Sequence, residues 1–223
     1  MCVEEVVQTI VAEIQHLLQE KQRVLIAIDG RCASGKTTLA QKLQSCLDCD
    51  VIHMDSFFLR PEQRTKERYE MPGGNVDYER LQTEVMEPLK KGHSFCYRPF
   101  LCKTQQLGEP ISVKETKVIV LEGSYSCHPL LWEQVDLHIF LTVDATEQLR
   151  RLAKRDASKL LAFQEKWIPL EEHYFSSYEI EEKCDLSFSI EVEKGDITEE
   201  NRVDYEYPLN QWGNSREIIT GTE

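Results

Sequence analysis

The sequence lacks any run of 18 or more apolar residues, so it predicts no transmembrane helix. It also lacks a basic excess, because 26 Lys and Arg residues stand against 39 Asp and Glu residues, for a formal net charge of -13. A protein that coats nucleic acid or an anionic membrane needs clustered Lys and Arg to neutralise phosphates. These absences argue against nucleic-acid polymers and membranes as partners, but net charge does not exclude a pocket for a small anion.

Two further patterns are missing. Glu4 and Glu5 stand where a secretory signal carries basic residues, and no uninterrupted apolar segment follows them. The eight cysteines form only one C-x-x-C, from Cys46 to Cys49, whereas a structural zinc site needs four ligands. We therefore expect reduced thiols, no zinc and a cytoplasmic protein.

What the sequence does contain is an alternation of short apolar runs with helical periodicity. This pattern is typical of an α/β fold with a mostly parallel sheet and helices on both faces. The expected strands cover residues 24–28, 51–54, 118–121, 137–141 and 186–192, and the expected helices cover 3–20, 36–47, 79–91, 145–165 and 170–183. No repeat or linker divides the chain, so we expect one domain over residues 1–223. Its acidic tail, about 191–223, is expected to pack on the domain.

The strongest motif is G-x-x-x-x-G-K-[ST], which lies between an expected strand and an expected helix. In this motif the backbone N–H groups of the loop face an anion, the lysine reaches the β- and γ-phosphates, and the hydroxyl binds Mg²⁺. The sequence therefore predicts a three-layer P-loop NTPase fold that binds ATP and Mg²⁺. The nucleotide-binding residues are expected to be Gly30, Arg31, Cys32, Ala33, Ser34, Gly35, Lys36, Thr37 and Thr38, with Thr37 also on the metal.

The class of P-loop protein follows from other features. A GTPase ordinarily carries N-K-x-D, and the chain contains no Asn-Lys pair. AAA-type ATPases ordinarily have more length and an acid pair at the end of a strand, so we expect another class. A small kinase needs a carboxylate at the metal, a base for the accepting hydroxyl, and a mobile cationic lid.

Each of these kinase roles has a candidate. Asp55 and Glu122 each follow an apolar strand, so both carboxylates are expected at the carboxyl edge of the sheet, where ligands of such sheets bind. Asp55 is the candidate base, and both are candidate metal ligands. A strand-end aspartate or helix cap is the simpler interpretation of Asp55. Arg151 and Arg155 are spaced to face one ligand as lid residues, although a solvated helix face also explains such a charge run.

Together these segments resemble the uridine kinase and phosphoribulokinase family of P-loop kinases, and uridine kinase most. The residues that carry the resemblance are Gly30 to Thr38, Met54-Asp55-Ser56-Phe57-Phe58, Asn75-Val76-Asp77, Leu121-Glu122-Gly123 and Arg151 to Arg155. The resemblance implies that Asp55 takes the proton from a nucleoside 5′-hydroxyl near Mg²⁺ and that Glu122 is the second acid there. It also implies that Asp77 binds the ribose and that Arg151 and Arg155 cover the phosphates.

The chain departs from uridine kinases where they surround the base with a Tyr-Asp-Phe segment and a following His. The corresponding stretch, 98–105, has neither Asp nor His, and Tyr97 and Phe100 are the aromatic candidates for acceptor contact. We expect an ATP-dependent kinase that converts uridine or cytidine to the 5′-monophosphate. Kinases for pantothenate, nicotinamide riboside or a sugar, and a non-catalytic ATP-binding regulator, remain alternatives. The sequence leaves a homo-oligomer open.

Overall fold

The computed structural model describes residues 1–189 and places a five-stranded parallel sheet at its centre. The sheet order is β2-β7-β1-β8-β9, and two short antiparallel ribbons, β3 with β6 and β4 with β5, lie outside it. The strands in this part of the chain are β1 (Val24–Gly30), β2 (Cys49–His53), β3 (Phe95–Tyr97), β4 (Phe100–Leu101), β5 (Gln106–Leu107), β6 (Ile111–Val113), β7 (Val118–Glu122), β8 (Leu137–Thr142) and β9 (Leu186–Ser189).

Helices connect the strands and cover the sheet. Those in residues 1–189 are α1 (Val3–Leu17), α2 (Lys36–Cys46), α3 (Lys66–Glu70), α4 (Tyr78–Leu81), α5 (Glu87–Lys91), α6 (Pro129–Trp132), α7 (Ala145–Asp156), α8 (Leu160–Ala162), α9 (Ile168–Tyr178) and α10 (Ile180–Lys183). Two π-helical turns, Gln82–Met86 and Phe163–Trp167, join α4 to α5 and α8 to α9. None of these helices is long and apolar enough to cross a membrane.

The strands are apolar on both sides because alternate residues enter two separate cores. Ile26 and Ile28 pack with α1 and α2 on one face of the sheet. Leu25 and Ala27 pack on the other face with the 78–91 helix and α9. The expected three-layer arrangement with helices on both faces is therefore confirmed.

One expected boundary is wrong. The sequence predicts separate helices over 145–165 and 170–183, but the chain stays helical from 160 to 178 and breaks instead at the 3₁₀ turn Ala157–Lys159. Pro169 does not end the helix because it directly follows the π-helical turn Phe163–Trp167, where the regular hydrogen-bond ladder is already interrupted. The expected tail at 191–223, and the end of the strand expected at 186–192, lie outside the described residues.

Candidate nucleotide and acceptor site

The phosphate-binding motif forms a tight loop between β1 and α2. Gly30 has φ +129°, and a Cβ there would lie 2.0 Å from the Leu141 carbonyl oxygen, so a larger residue does not fit. Lys36 begins α2, and its Nζ donates to the carbonyl oxygens of Gly30 at 2.7 Å and Arg31 at 3.0 Å. Its ammonium group thus lies against the loop, at the N-terminus of a helix, where an anion is favoured.

Other residues of the loop tie it to the C-terminal helices. The Arg31 guanidinium pairs with Glu172 at 2.7 Å and with Glu181 at 2.9 Å. The backbone N–H of Cys32 donates to the buried Glu171 carboxylate at 2.9 Å. In this structure Arg31 and Cys32 therefore anchor the loop to α9 and α10, which sequence reasoning did not foresee.

The predicted metal-side residues converge at the carboxyl edge of the sheet. Thr37 donates its hydroxyl to the Glu122 carboxylate at 3.1 Å, and the other Glu122 oxygen lies 2.7 Å from His53 Nδ1. Asp55 follows β2 in the 3₁₀ turn Met54–Phe57. Burial raises the pKa of Asp55 to about 6, with a further contribution from the charge of Glu122, against the charges of Lys36 and His53.

His53 was missed by the sequence argument, although the strand register points to it. It pairs with Glu122 across adjacent parallel strands, both residues being the last of their strand. Side chains at paired positions of neighbouring strands point to the same side of the sheet, so reading β2 and β7 together would have placed the imidazole beside the carboxylate.

The two predicted lid arginines lie next to the phosphate loop on α7. Arg151 donates to the carbonyl oxygen of Ala33 at 3.1 Å and to Glu147 at 2.8 Å, and its side chain is 11% exposed. Arg155 lies over the Phe163 ring at 5.2 Å, and its charge is one of those that lower the pKa of Asp55. Both arginines are therefore near the loop and the acids, as a lid requires.

A narrow cleft opens beside Asp55, between the sheet edge and the helices that follow α7. Its walls are partly aromatic, with the rings of Phe58 and Trp167 centred 6.3 Å apart. The lining residues are Met54, Asp55, Phe58, Asn75, Val76, Ser124, Tyr125, Phe163, Trp167 and Glu171. Met54, Phe58 and the Asn75-Val76 pair belong to motifs noted in the sequence, whereas Tyr125, Phe163, Trp167 and Glu171 carried no sequence signal.

Three residues expected to contact the acceptor are not brought to this cleft. Asp77 is fully buried; it caps α4 by accepting from the Arg80 backbone N–H, and its other oxygen accepts from Arg60 at 3.2 Å. Tyr97 stacks on a core phenylalanine at 5.4 Å, and Phe100 lies beneath the Arg64 guanidinium at 5.6 Å. All three side chains are committed to internal packing or ion pairs, which a one-dimensional motif does not reveal.

A buried carboxylate, Asp29, organises the loop that carries part of the cleft. It accepts from the backbone N–H groups of Tyr125 and Cys127, each at 2.9 Å, and from the Tyr174 hydroxyl at 2.8 Å. Burial raises the pKa of Asp29 to about 6, and these hydrogen bonds act in the opposite direction. Asp29 thus fixes the 123–128 loop against β1.

The donor set at the sheet edge suits a hard cation. Within residues 1–189, no group of three or more His, Cys, Asp or Glu side chains has the arrangement of a self-sufficient metal site. Mg²⁺ at a nucleotide site does not need one, since it keeps waters and takes phosphate oxygens together with one or two protein oxygens. The Thr37 hydroxyl and the Glu122 and Asp55 carboxylates are oxygen ligands of that kind.

This fold and site define a P-loop nucleotide-binding protein. A sequence family described as AAA domain matches residues 26–165, more than half of the chain, and the chain belongs to this family. The description names the domain, and the expectation that the chain is not an AAA-type ATPase stays a prediction. The matched residues begin in β1 and end in the π-helical turn Phe163–Trp167, so they include the phosphate loop and α7.

The relatives are kinases. The chain is 29% identical to a uridine kinase of Ureaplasma parvum serovar 3 over 64% of this chain and 73% of that protein. It is 28% identical to uridine-cytidine kinase B of Dictyostelium discoideum over 62% and 60% of the two chains. The resemblance to uridine kinases predicted from the motifs is thus confirmed.

A solved structure shows the same fold. The structure of a possible uridine kinase from Bacillus stearothermophilus superposes with a TM-score of 0.63, covering 83% of this chain and 96% of the other, at 21% identity. The predicted P-loop NTPase fold is confirmed by this likeness.

Proposed function

We propose that this protein is an ATP-dependent kinase that transfers the γ-phosphoryl group to a hydroxyl of a small molecule, with a nucleoside as the first acceptor class. The observation that carries the proposal is the position of Asp55. It lines the cleft, and it lies close enough to Glu122 and Lys36 for their charges to change its pKa. A carboxylate between a small-molecule cleft and a phosphate loop is where phosphoryl transfer needs a base.

In this proposal each side chain has a limited task. Asp55 accepts the proton of the attacking hydroxyl, and the pKa of about 6 that burial gives it without metal still leaves it mostly ionised near neutral pH. Lys36, Arg151 and Arg155 neutralise charge on the phosphoryl oxygens. Thr37, Glu122 and Asp55 would hold Mg²⁺, which when bound supplies positive charge for the nucleotide phosphates.

The names of the relatives support uridine and cytidine as acceptors. A specific observation favours a second candidate, a kinase for another small alcohol. Tyr97 and Phe100, the aromatic candidates for the base, are 2% and 4% exposed and do not line the cleft. A protein whose base-reading groups are absent or buried has lost hydrogen bonds that would select a nucleobase.

The test is ATP consumption by the purified full-length chain against a panel of nucleosides, pantothenate, nicotinamide riboside and sugars. We expect acceptor-dependent ADP formation, and Asp55→Asn should lower it at least about 100-fold, in the range for a positioned general base. The control is Asp48→Asn, which makes the same change at an exposed aspartate at the end of α2.

Two results would decide against the proposal. Unchanged turnover in Asp55→Asn would remove Asp55 from the reaction. ATP binding that is lost in Lys36→Met, with no product on any acceptor, would favour the non-catalytic regulator instead.

A further inference from the structure

Three buried polar atoms on residues that line the cleft have no hydrogen-bond partner among residues 1–189. They are the Asn75 Nδ2, the Trp167 Nε1 and the Tyr125 hydroxyl, on side chains from residues that are 5%, 6% and 4% exposed. Asn75 is close enough to lower the pKa of the Tyr125 hydroxyl, but the geometry between them falls short of a hydrogen bond. An unmatched buried polar group is destabilising, so three on the residues around one cleft call for an explanation.

The backbone at one of these residues adds independent support. Tyr125 has φ +75°, in the left-handed region that a bulky residue rarely occupies. The fold holds it there through the hydrogen bond from its backbone N–H to Asp29. Such conformations are strained and concentrate at functional sites, because a regular conformation would send the side chain elsewhere.

The chemistry of the lining indicates what these groups bind. The Asn75 Nδ2 and Trp167 Nε1 groups can only donate, whereas the Tyr125 hydroxyl can donate or accept, so together they match hydroxyl oxygens, which also do both. The carboxylates among the lining residues are Asp55 and Glu171, and both disfavour an anionic acceptor in their immediate vicinity. The rings of Phe58, Phe163 and Trp167 provide apolar surface for the carbon face of a ring or chain.

We propose that Asn75, Tyr125 and Trp167 select the acceptor, and that they select a neutral polyhydroxylated molecule through its non-reacting oxygen atoms. Free sugars, polyols and the ribose of a nucleoside share this chemistry. The inference rests on the proposed kinase function, since it names the residues that recognise the acceptor at the same cleft.

The experiment compares Asn75→Leu, Tyr125→Phe and Trp167→Phe with the wild-type chain. D-ribose, D-fructose, ribitol and uridine are the acceptors, at saturating ATP and Mg²⁺. Each variant should lower kcat/KM for the acceptor about 3- to 10-fold, the effect of one hydrogen bond to a neutral group, and leave the KM for ATP within about twofold. Tyr178→Phe and Trp132→Phe are the matched controls, because these residues do not line the cleft.

A second measurement separates direct contact from loss of packing. Removing one hydroxyl from the best acceptor should lower the wild-type kcat/KM by the same factor as a variant does. For the deoxy analogue that lacks the hydroxyl contacted by Tyr125, the substitution Tyr125→Phe should lower kcat/KM no further. A higher kcat/KM for a free sugar or polyol than for uridine would identify the acceptor as a sugar or polyol, and the reverse order would identify it as a nucleoside.

The two proposals fail in different ways. Unchanged acceptor kinetics in all three variants, or a KM for ATP that rises in parallel with that for the acceptor, would overturn the recognition role while leaving the kinase intact. If no acceptor is phosphorylated, titration of the same four compounds into the protein saturated with a non-hydrolysable ATP analogue tests recognition alone. Binding that weakens in Tyr125→Phe would uphold the recognition role without the kinase, and no binding to the wild type would overturn it.

Discussion

The free energy of unfolding should depend on pH through His128. This residue is 7% exposed, packs 4.3 Å from the Tyr78 ring and 5.3 Å from the Tyr178 ring, and caps α6 by accepting from the Leu130 backbone N–H. Burial lowers its pKa from 6.5 to about 4, and the charge of Arg68 acts in the same direction, against a hydrogen bond to the Pro72 carbonyl. The folded chain therefore keeps this imidazole neutral at pH values where the unfolded chain protonates it.

The sign and size follow from proton linkage. Because the folded pKa is depressed, the stabilisation is complete above the unfolded value of 6.5 and is lost as the pH falls toward 4. Between pH 7 and pH 5, a shift of this size removes about 2 kcal/mol of unfolding free energy. His128→Asn keeps a side chain that caps helices well but does not titrate. We expect the variant to lose about 2 kcal/mol less than the wild type over the same interval.

Urea unfolding followed by circular dichroism at pH 7, 6 and 5 measures this difference. The comparison cancels the contribution of Asp29, which both chains share, and any cost of the substitution that is independent of pH. His128→Gln should follow His128→Asn. The reasoning would be refuted if the wild type and both variants lost the same free energy, within about 0.5 kcal/mol, an accuracy that changes in denaturation midpoint allow.

Three other outcomes can be checked. Gly123→Ala should lower the free energy of unfolding by about 3 kcal/mol or more, because φ is +130° and the new Cβ would lie 2.9 Å from the Met54 Cβ. Gly92→Ala, at φ +80° with open space around the new Cβ, should lower it by about 1 kcal/mol. Equal urea midpoints for the two variants would contradict the packing argument. If Asp55 is the base, kcat/KM should fall at acid pH as its ionised form is lost, with a midpoint below the metal-free pKa of about 6 that moves lower as Mg²⁺ is raised; a midpoint that does not respond to Mg²⁺ would argue against Asp55. Glu171→Leu leaves the Cys32 backbone N–H in the phosphate loop without its acceptor and should lower the free energy of unfolding by about 1–3 kcal/mol. Glu171→Gln should restore part of this loss. Melting temperatures equal to that of the wild type would argue against the hydrogen bond.

Much of the fold and one half of the site could be predicted from the sequence because they depend on short-range patterns. The runs 24–28 and 118–121 are apolar throughout, which is typical of strands covered on both faces. The motif around Lys36 specifies its own loop through glycines and a following helix. Asp55 and Glu122 could be placed because Glu122 ends one parallel strand and Asp55 closely follows another, and such ends meet at one edge.

The acceptor half could not be predicted because its residues come together only through tertiary packing. Trp167 lies in a π-helical turn more than 100 positions from Asp55, and no local pattern distinguishes it from a core tryptophan. Asp77 shows the opposite case. Its motif suggested a ligand contact, but the nearby Arg60 and Arg80 occupy its carboxylate. Contacts of this kind depend on which charges the fold brings together.

The Glu171 carboxylate joins the two halves of the site. One oxygen accepts from the Cys32 N–H in the phosphate loop, and the other accepts from the Ser124 hydroxyl, at 2.6 Å, in the loop that carries Tyr125. In the proposed kinase, nucleotide and acceptor therefore bind on either side of one buried hydrogen-bonded bridge. A ligand that changes the bridge on its own side would change the affinity for the other ligand, and thermodynamic reciprocity requires the two affinities to change by the same factor.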